Sequence, residues 1–116
     1  MSLKVWGITG QKDLTKTATN YPQATMDGDK VIAQRGTIQD ITGTVEKLGL
    51  NSASDIIFNG TNAVAVEQYR MGRLSPIVVL KVTGEADSGL HELVVAGYGK
   101  NGQLTSIELR VDVNDN

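Results

Sequence analysis

Few side chains in this sequence have obvious catalytic chemistry. His91 is the single histidine of the chain, and Asp87 and Ser88 lie close to it in sequence. A hydroxyl, an imidazole and a carboxylate are the components of a Ser–His–Asp arrangement. No nucleophile-elbow pattern surrounds Ser88, however. We therefore interpret His91 as a turn or strand-edge histidine that forms local hydrogen bonds.

Paired carboxylates are the second kind of residue that could perform acid–base chemistry. Asp27 and Asp29 flank Gly28, and Glu85 and Asp87 share another polar stretch. Acidic residues are favoured in turns because they form hydrogen bonds with the local backbone. The chain has no cysteine, and one histidine is too few for a zinc site of the His or Cys type. The sequence thus predicts a non-enzymatic protein with no cofactor.

A glycine motif lies at residues 97–102, where Gly97, Gly99 and Gly102 follow the spacing G-x-G-x-x-G. In a dinucleotide site this motif follows a strand and begins a helix. Here a second strand pattern follows it. The motif is therefore predicted to form a hairpin turn in which the glycines adopt positive φ.

Oxygen-rich side chains are concentrated at the end of the chain, where Asp112, Asn114 and Asp115 fall within residues 112–116. Calcium prefers oxygen ligands of this kind. The pentapeptide resembles the calcium-ligating linker of cadherin repeats, although the other cadherin ligand motifs are not found at matching positions. The resemblance implies a calcium-dependent adhesion or carbohydrate-binding β domain as an alternative function. An acidic terminus without a metal is the competing interpretation, and thermal stability with calcium or chelator distinguishes the two.

The charge balance argues against binding to polyanions. The net charge is −2 and the isoelectric point is about 5.3, and Arg70 and Arg73 form only a modest basic group. We therefore expect no nucleic-acid or membrane partner. No apolar run approaches the length of a membrane span, and residues 1–7 lack the features of a signal peptide. These features predict cytoplasmic synthesis, with a virus particle as one eventual location.

One segment has the periodicity of a helix. Its apolar residues fall at i, i+3, i+7 and i+10, which places them on one helical face: Ile38, Ile41, Val45 and Leu48. Thr37 and Asp40 suit an N-terminal capping box, and Gly49 suits a C-terminal left-handed cap. The spacing predicts a helix over residues 37–48, with Gly43 as a position where it could break.

Strand patterns occupy most of the remaining chain. Asn59-Gly60 predicts a hairpin between strands 55–58 and 63–70, with a helix over 62–71 as the alternative for the second segment. The clearest alternation predicts a hairpin of residues 90–98 and 103–113. The predicted strands number about seven: 3–9, 30–34, 55–58, 63–70, 77–82, 90–98 and 103–113.

The order of these elements predicts one β-rich α+β domain over residues 1–116, with mostly antiparallel strands, or alternatively an all-β sandwich. Residues 10–29 are polar and suit either an arm or loop that orders against a neighbouring subunit, or a flexible loop or irregular edge segment. Together with the sheet edges, this arm favours a structural or assembly subunit that forms a homo-oligomer or a larger assembly. A capsid-decorating or tail protein of a phage or virus particle is the most specific form of this hypothesis.

Overall fold

The computed structural model describes residues 21–59, 61, 63–70 and 75–115. These residues form a β-rich α+β fold, as the sequence predicts. Eight strands and one helix lie within the described ranges, in this order: β1 (Thr25–Asp27), β2 (Lys30–Gln34), β3 (Thr37–Asp40), α1 (Thr42–Leu48), β4 (Ile57–Asn59), β5 (Val64–Tyr69), β6 (Ile77–Val82), β7 (Gly89–Tyr98) and β8 (Leu104–Asn114).

The strands form two sheets. The five-stranded sheet has the order β1-β2-β8-β7-β4, and the three-stranded sheet has the order β3-β6-β5. Only the β2–β8 pair is parallel among these strand pairs, and the rest are antiparallel. The last strand, β8, is therefore central in the larger sheet, between β2 and β7.

The core contains side chains from both sheets and from α1. In β8 the alternation predicted from the sequence is confirmed, because Leu109, Val111 and Val113 are buried while Glu108 on the opposite face is exposed. The core-facing positions of β6 belong to the same cluster, as does Val45 of α1. The β6 contribution consists of Val78, Leu80 and Val82.

The predicted helix over residues 37–48 is wrong in its first part. Residues 37–40 form strand β3, which pairs with β6 so that Ile38 lies opposite Lys81. Thr37 is therefore not an N-cap. The Oδ1 atom of Asp40 instead accepts a hydrogen bond from the Thr42 backbone N–H at 2.8 Å, where the chain turns from strand to helix. The C-terminal prediction is confirmed, since Gly49 has φ 117° and caps α1 in the left-handed conformation.

The hairpin predicted at Asn59-Gly60 is also wrong. β4 pairs with β7, whereas β5 pairs with β6 in the other sheet. The strand prediction for the second segment is confirmed, and its helical alternative is wrong over Val64–Tyr69. Val64 and Val66 both face the core. Side chains two residues apart share one face in a strand, so the alternation of this segment is that of a strand.

The C-terminal hairpin is confirmed, with a register that runs from the Gly89–Val113 pair to the Tyr98–Leu104 pair. The predicted strand 3–9 lies outside the described residues, as do residues 10–20 of the polar segment. In the remainder of that segment, Gly28 has φ 66° in the turn between β1 and β2. The described helix, α1, is too short to span a membrane, and no other helix in the described ranges could do so.

Candidate functional site

The histidine and serine singled out in the sequence lie near the start of β7. The Nε2–H of His91 donates to the backbone oxygen of Asp87 at 2.7 Å. The Oγ atom of Ser88 accepts a hydrogen bond from Nη2 of Arg35 at 2.6 Å. Neither contact joins His91 to Ser88. The two hydrogen bonds therefore stabilise the local loop and do not form a nucleophile–base pair.

The four acidic residues considered for acid–base chemistry all lie on exposed turns. Asp27 is the last residue of β1 and Asp29 lies in the β1–β2 turn, where it forms an ion pair with Arg110 at 2.9 Å. Glu85 and Asp87 lie in the loop between β6 and β7, and both are exposed. All four carboxylates are exposed to water, and the structure does not bring either pair into a buried site.

The residues proposed as calcium ligands lie at the end of β8. A carboxylate oxygen of Asp112 lies 3.3 Å from Nζ of Lys30, and Asp115 forms an ion pair with Arg35. Asn114 is aligned with Gln34 of β2. No group of three or more potential metal ligands was found in the part of the chain that the structure describes. Calcium binding stays a prediction, and it requires both cations to be displaced.

The glycine motif is followed by a strand, as predicted for a hairpin turn. Of its three glycines only Gly102 has a positive φ, 82°, so the explanation given for the other two is wrong. A Cβ at Gly97 would lie 3.3 Å from Cδ1 of Ile56 and 3.4 Å from the backbone oxygen of Asp55. Close packing therefore disfavours a side chain at Gly97, because its neighbours would have to shift by a few tenths of an ångström. Of the modest basic group, Arg70 forms an exposed ion pair with Asp55, and Arg73 lies outside the described residues.

The residues that the sequence did not single out form an apolar surface on the outer face of the five-stranded sheet. The register places Ala96 opposite both Ile57 and Ser106, and it places Tyr98 opposite Leu104. Val94 lies two residues before Ala96 on the same face. Leu104 is 67% exposed, and Ile57 and Val94 are each 49% exposed. We call this surface the apolar patch: Ile57, Val94, Ala96, Tyr98 and Leu104.

The charged residues on the rest of that face largely neutralise one another. Arg110 lies 2.9 Å from Asp29 and 3.5 Å from Glu92, and Lys30 pairs with Asp112. These pairs lie beyond Val94, on the side away from the hairpin tip. The ion pairs are therefore concentrated on one side of Val94, where the exposed Leu90 lies opposite Asp112, while Glu108 lies opposite Val94 itself.

The apolar side chains on the outer face of the three-stranded sheet are less exposed than those of the apolar patch. Ile77 and Val79, which point away from the core cluster, are nonetheless buried. Beside them the hydroxyl of Tyr69 donates to Oε1 of Glu67 at 2.9 Å, and its ring lies 6.0 Å from that of Tyr21. Burial, together with this hydrogen bond, raises the pKa of Tyr69 to about 12. The exposed apolar surface is therefore on the larger sheet.

The loop between α1 and β4 contacts β7 next to the apolar patch. The backbone N–H of Asn51 donates to the oxygen of Tyr98 at 2.7 Å, and Leu50 is fully buried beneath Gly97. A carboxylate oxygen of Glu46 accepts a hydrogen bond from the backbone N–H of Ser52. This bond lowers the pKa of Glu46 below its ordinary value of 4.5.

The lowered pKa of Glu46 predicts a pH-dependent contribution to stability. Since the folded state favours the charged carboxylate, this contribution is present above the unfolded pKa and is lost as pH falls through the folded pKa. We expect Glu46→Gln to lower the unfolding midpoint at pH 7 and to have a smaller effect in acid. Thermal unfolding of both proteins from pH 7 down to pH 3 measures this. A difference in unfolding midpoint that is the same at every pH would contradict the stabilising role of the Glu46 carboxylate. Glu85→Gln, at an exposed turn, is the control.

No protein-family model, curated protein sequence or solved structure matches this chain.

Proposed function

We propose that this protein is a non-enzymatic structural subunit that assembles with copies of itself through the apolar patch. The observation that supports the proposal is the clustering of Ile57, Val94 and Leu104 on one exposed sheet face. Several exposed apolar side chains on one face are typical of protein interaction sites, whereas single apolar residues scattered over the surface are ordinary.

The surroundings of the patch favour a second copy over a highly charged partner. Lys30 and Arg110 are already paired with acidic residues of the same face. Such a face has little electrostatic attraction for a polyanion or polycation. Burial of apolar area is the remaining source of affinity, and a self-complementary apolar surface is what a twofold interface requires.

The more specific form of the proposal is a component of a phage or virus particle, such as a capsid-decorating or tail protein. A subunit of that kind supplies contact surfaces and needs no reaction centre. The β-rich scaffold and its exposed apolar face suit such a role, and this form depends on the assembly proposal.

Assembly is tested by the mass in solution, measured by light scattering over a concentration series. We expect a discrete oligomer for the natural sequence and a shift to monomer for the double variant Val94→Asp/Leu104→Asp, because two buried carboxylates without partners strongly oppose association. Leu48→Asp is the matched control: Leu48 is 41% exposed but lies on α1, away from the patch.

A monomer at every concentration up to about 1 mM would overturn the proposal, since that concentration corresponds to only ~4 kcal/mol of binding free energy. An oligomer that is unaffected by the double variant would place the interface elsewhere on the surface and equally contradict the role of the patch. Circular dichroism of each variant confirms that the fold is retained.

A further inference from the structure

The edge of β7 is covered by another strand over only part of its length. β4 pairs with residues 94–96 of β7, whereas β7 itself begins at Gly89 and pairs with β8 along its whole length. Residues 89–93 therefore have β8 on one side and, in the described part of the sheet, no strand on the other. We call residues 89–93 the edge segment.

The register of the β7–β8 hairpin determines which backbone groups of the edge segment point outward. At the hairpin tip the N–H of Gly99 donates to the oxygen of Gln103 at 2.9 Å. Hydrogen-bonded pairs alternate along an antiparallel ladder, so the same kind of pair recurs at His91, which bonds to β8. The N–H and C=O groups of Leu90 and Glu92 consequently point away from β8.

The other residues of β7 that share this direction already have partners. The oxygen of Tyr98 accepts a hydrogen bond from the N–H of Asn51, and residues 94–96 pair with β4. Within the described ranges, by contrast, no backbone group bonds to the outward side of Leu90 or Glu92. Both residues are exposed, and Leu90 is 48% exposed.

The edge segment lacks the features that commonly keep sheet edges from pairing, which are proline, lysine and β-bulges. It contains neither proline nor lysine, and its ladder with β8 has no bulge. A carboxylate oxygen of Glu92 lies 3.5 Å from Nε of Arg110 in the same sheet. The ring of His91 is bonded to the backbone oxygen of Asp87 in its own loop.

We propose that the edge segments of two copies of this chain pair antiparallel about a twofold axis, which joins their larger sheets into one. With the axis at His91, Leu90 lies opposite Glu92 of the second copy, and Glu92 lies opposite Leu90 of the second copy. Both are hydrogen-bonded pairs, so all the outward backbone groups of Leu90 and Glu92 gain a partner.

The side chains at this joint are complementary to those of a second copy. Leu90 packs beside Glu92 of the second copy, whose charge Arg110 of that copy neutralises, so no unpaired charge is buried. Gly89 has φ 108°, and the chain before it therefore leaves the strand direction instead of continuing against β4 of the second copy. The pairing thus ends where β4 begins.

This inference rests on the proposed function, because two hydrogen-bonded pairs are too few to overcome the cost of association by themselves. Contact through the apolar patch is a second, different twofold interface, and two such interfaces join more than two copies. In a closed assembly of four copies each kind of contact occurs twice, so the two edge joints act together.

Leu90→Pro tests the edge joint, because proline removes an N–H that points outward and leaves the ladder with β8 in place. We expect light scattering to give a mass of four copies for the natural sequence and half that mass for Leu90→Pro. Leu90→Val keeps the N–H and is the matched control, so its mass should equal that of the natural sequence. Circular dichroism checks that each variant is folded.

Amide hydrogen exchange tests the same joint without any substitution in the edge segment. The amides of Leu90 and Glu92 should exchange at least about tenfold more slowly in the natural protein than in the monomeric variant Val94→Asp/Leu104→Asp. The amide of His91 should be protected in both proteins, because it bonds to β8 in either state.

The outcomes separate this inference from the proposed function. A folded Leu90→Pro with the mass of the natural protein, or unprotected Leu90 and Glu92 amides in the natural assembly, would overturn the edge joint and leave assembly through the apolar patch intact. A natural protein that stays monomeric would overturn both. A halved mass for Leu90→Pro alone, with protection of the two outward amides, would support the joint.

Discussion

Replacement of Leu80 by alanine is expected to lower the free energy of unfolding by ~2–5 kcal/mol. Leu80 is fully buried in β6, the central strand of the three-stranded sheet, and it belongs to the core that both sheets share. Truncation of Leu80 removes its apolar contacts with the other core side chains and leaves a cavity in a close-packed interior. Because small domains are stable by only ~5–15 kcal/mol, this is a large fraction of the total.

Leu104→Ala is the matched control for Leu80→Ala, since the chemical change is the same but Leu104 is 67% exposed. Its cost should stay below ~1 kcal/mol when the chain is monomeric. Urea unfolding followed by circular dichroism measures both values, and a shared m-value allows the midpoints to be compared. Equal costs for the two variants would show that the core does not lie between the sheets as described.

Replacement of Arg35 by alanine is the second change with a large expected effect, ~1–3 kcal/mol. Nε of Arg35 donates to the backbone oxygen of Ala86 at 2.7 Å, Nη2 donates to Ser88, and Nη1 pairs with Asp115. One guanidinium thus connects the turn after β2, the loop after β6 and the end of β8. Alanine leaves all of these groups without their partner.

Arg35→Lys distinguishes geometry from charge, because an ammonium keeps the attraction to Asp115 but cannot reproduce the planar fork. We expect lysine to recover less than half of the lost stability. Arg70→Ala is the control: its ion pair with Asp55 is highly exposed, and exposed pairs contribute ~0–1 kcal/mol. Thermal unfolding of the three variants tests this, and an Arg35→Ala midpoint equal to that of Arg70→Ala would refute the bridging role.

Local patterns predicted the parts of the fold that depend on neighbours in sequence. The β7–β8 hairpin was predicted because alternation along residues 104–113 and the glycine-containing turn are both local signals. The left-handed cap at Gly49 is local in the same sense. These features need no knowledge of distant partners, and the structure confirms them.

The errors arose where a distant partner decides between two local possibilities. Ile38 fits the helical spacing, yet pairing of β3 with β6, about forty residues away in sequence, makes residues 37–40 a strand. β4 likewise pairs with β7 rather than with the strand that follows it. Asn59-Gly60 is a strong turn signal, but it does not specify which strands the turn connects.

The apolar patch could not be recognised in the sequence for a related reason. Its exposed members, Ile57, Val94 and Leu104, come from three strands, and each one alone is an ordinary surface residue. Only the register of β4, β7 and β8 places them on the same face of the sheet, next to Ala96 and Tyr98.

The central position of β8 has a consequence for synthesis on the ribosome. β2 forms its parallel pair with β8, and Lys30 is aligned there with Arg110, so an early strand pairs with the last of the described strands to be translated. β1 and β2 can join the larger sheet only after residues 104–114 have left the exit tunnel. The apolar side chains of β2 therefore lack their native partner until residues 104–114 have been translated. Removal of β8 would divide the sheet rather than shorten it.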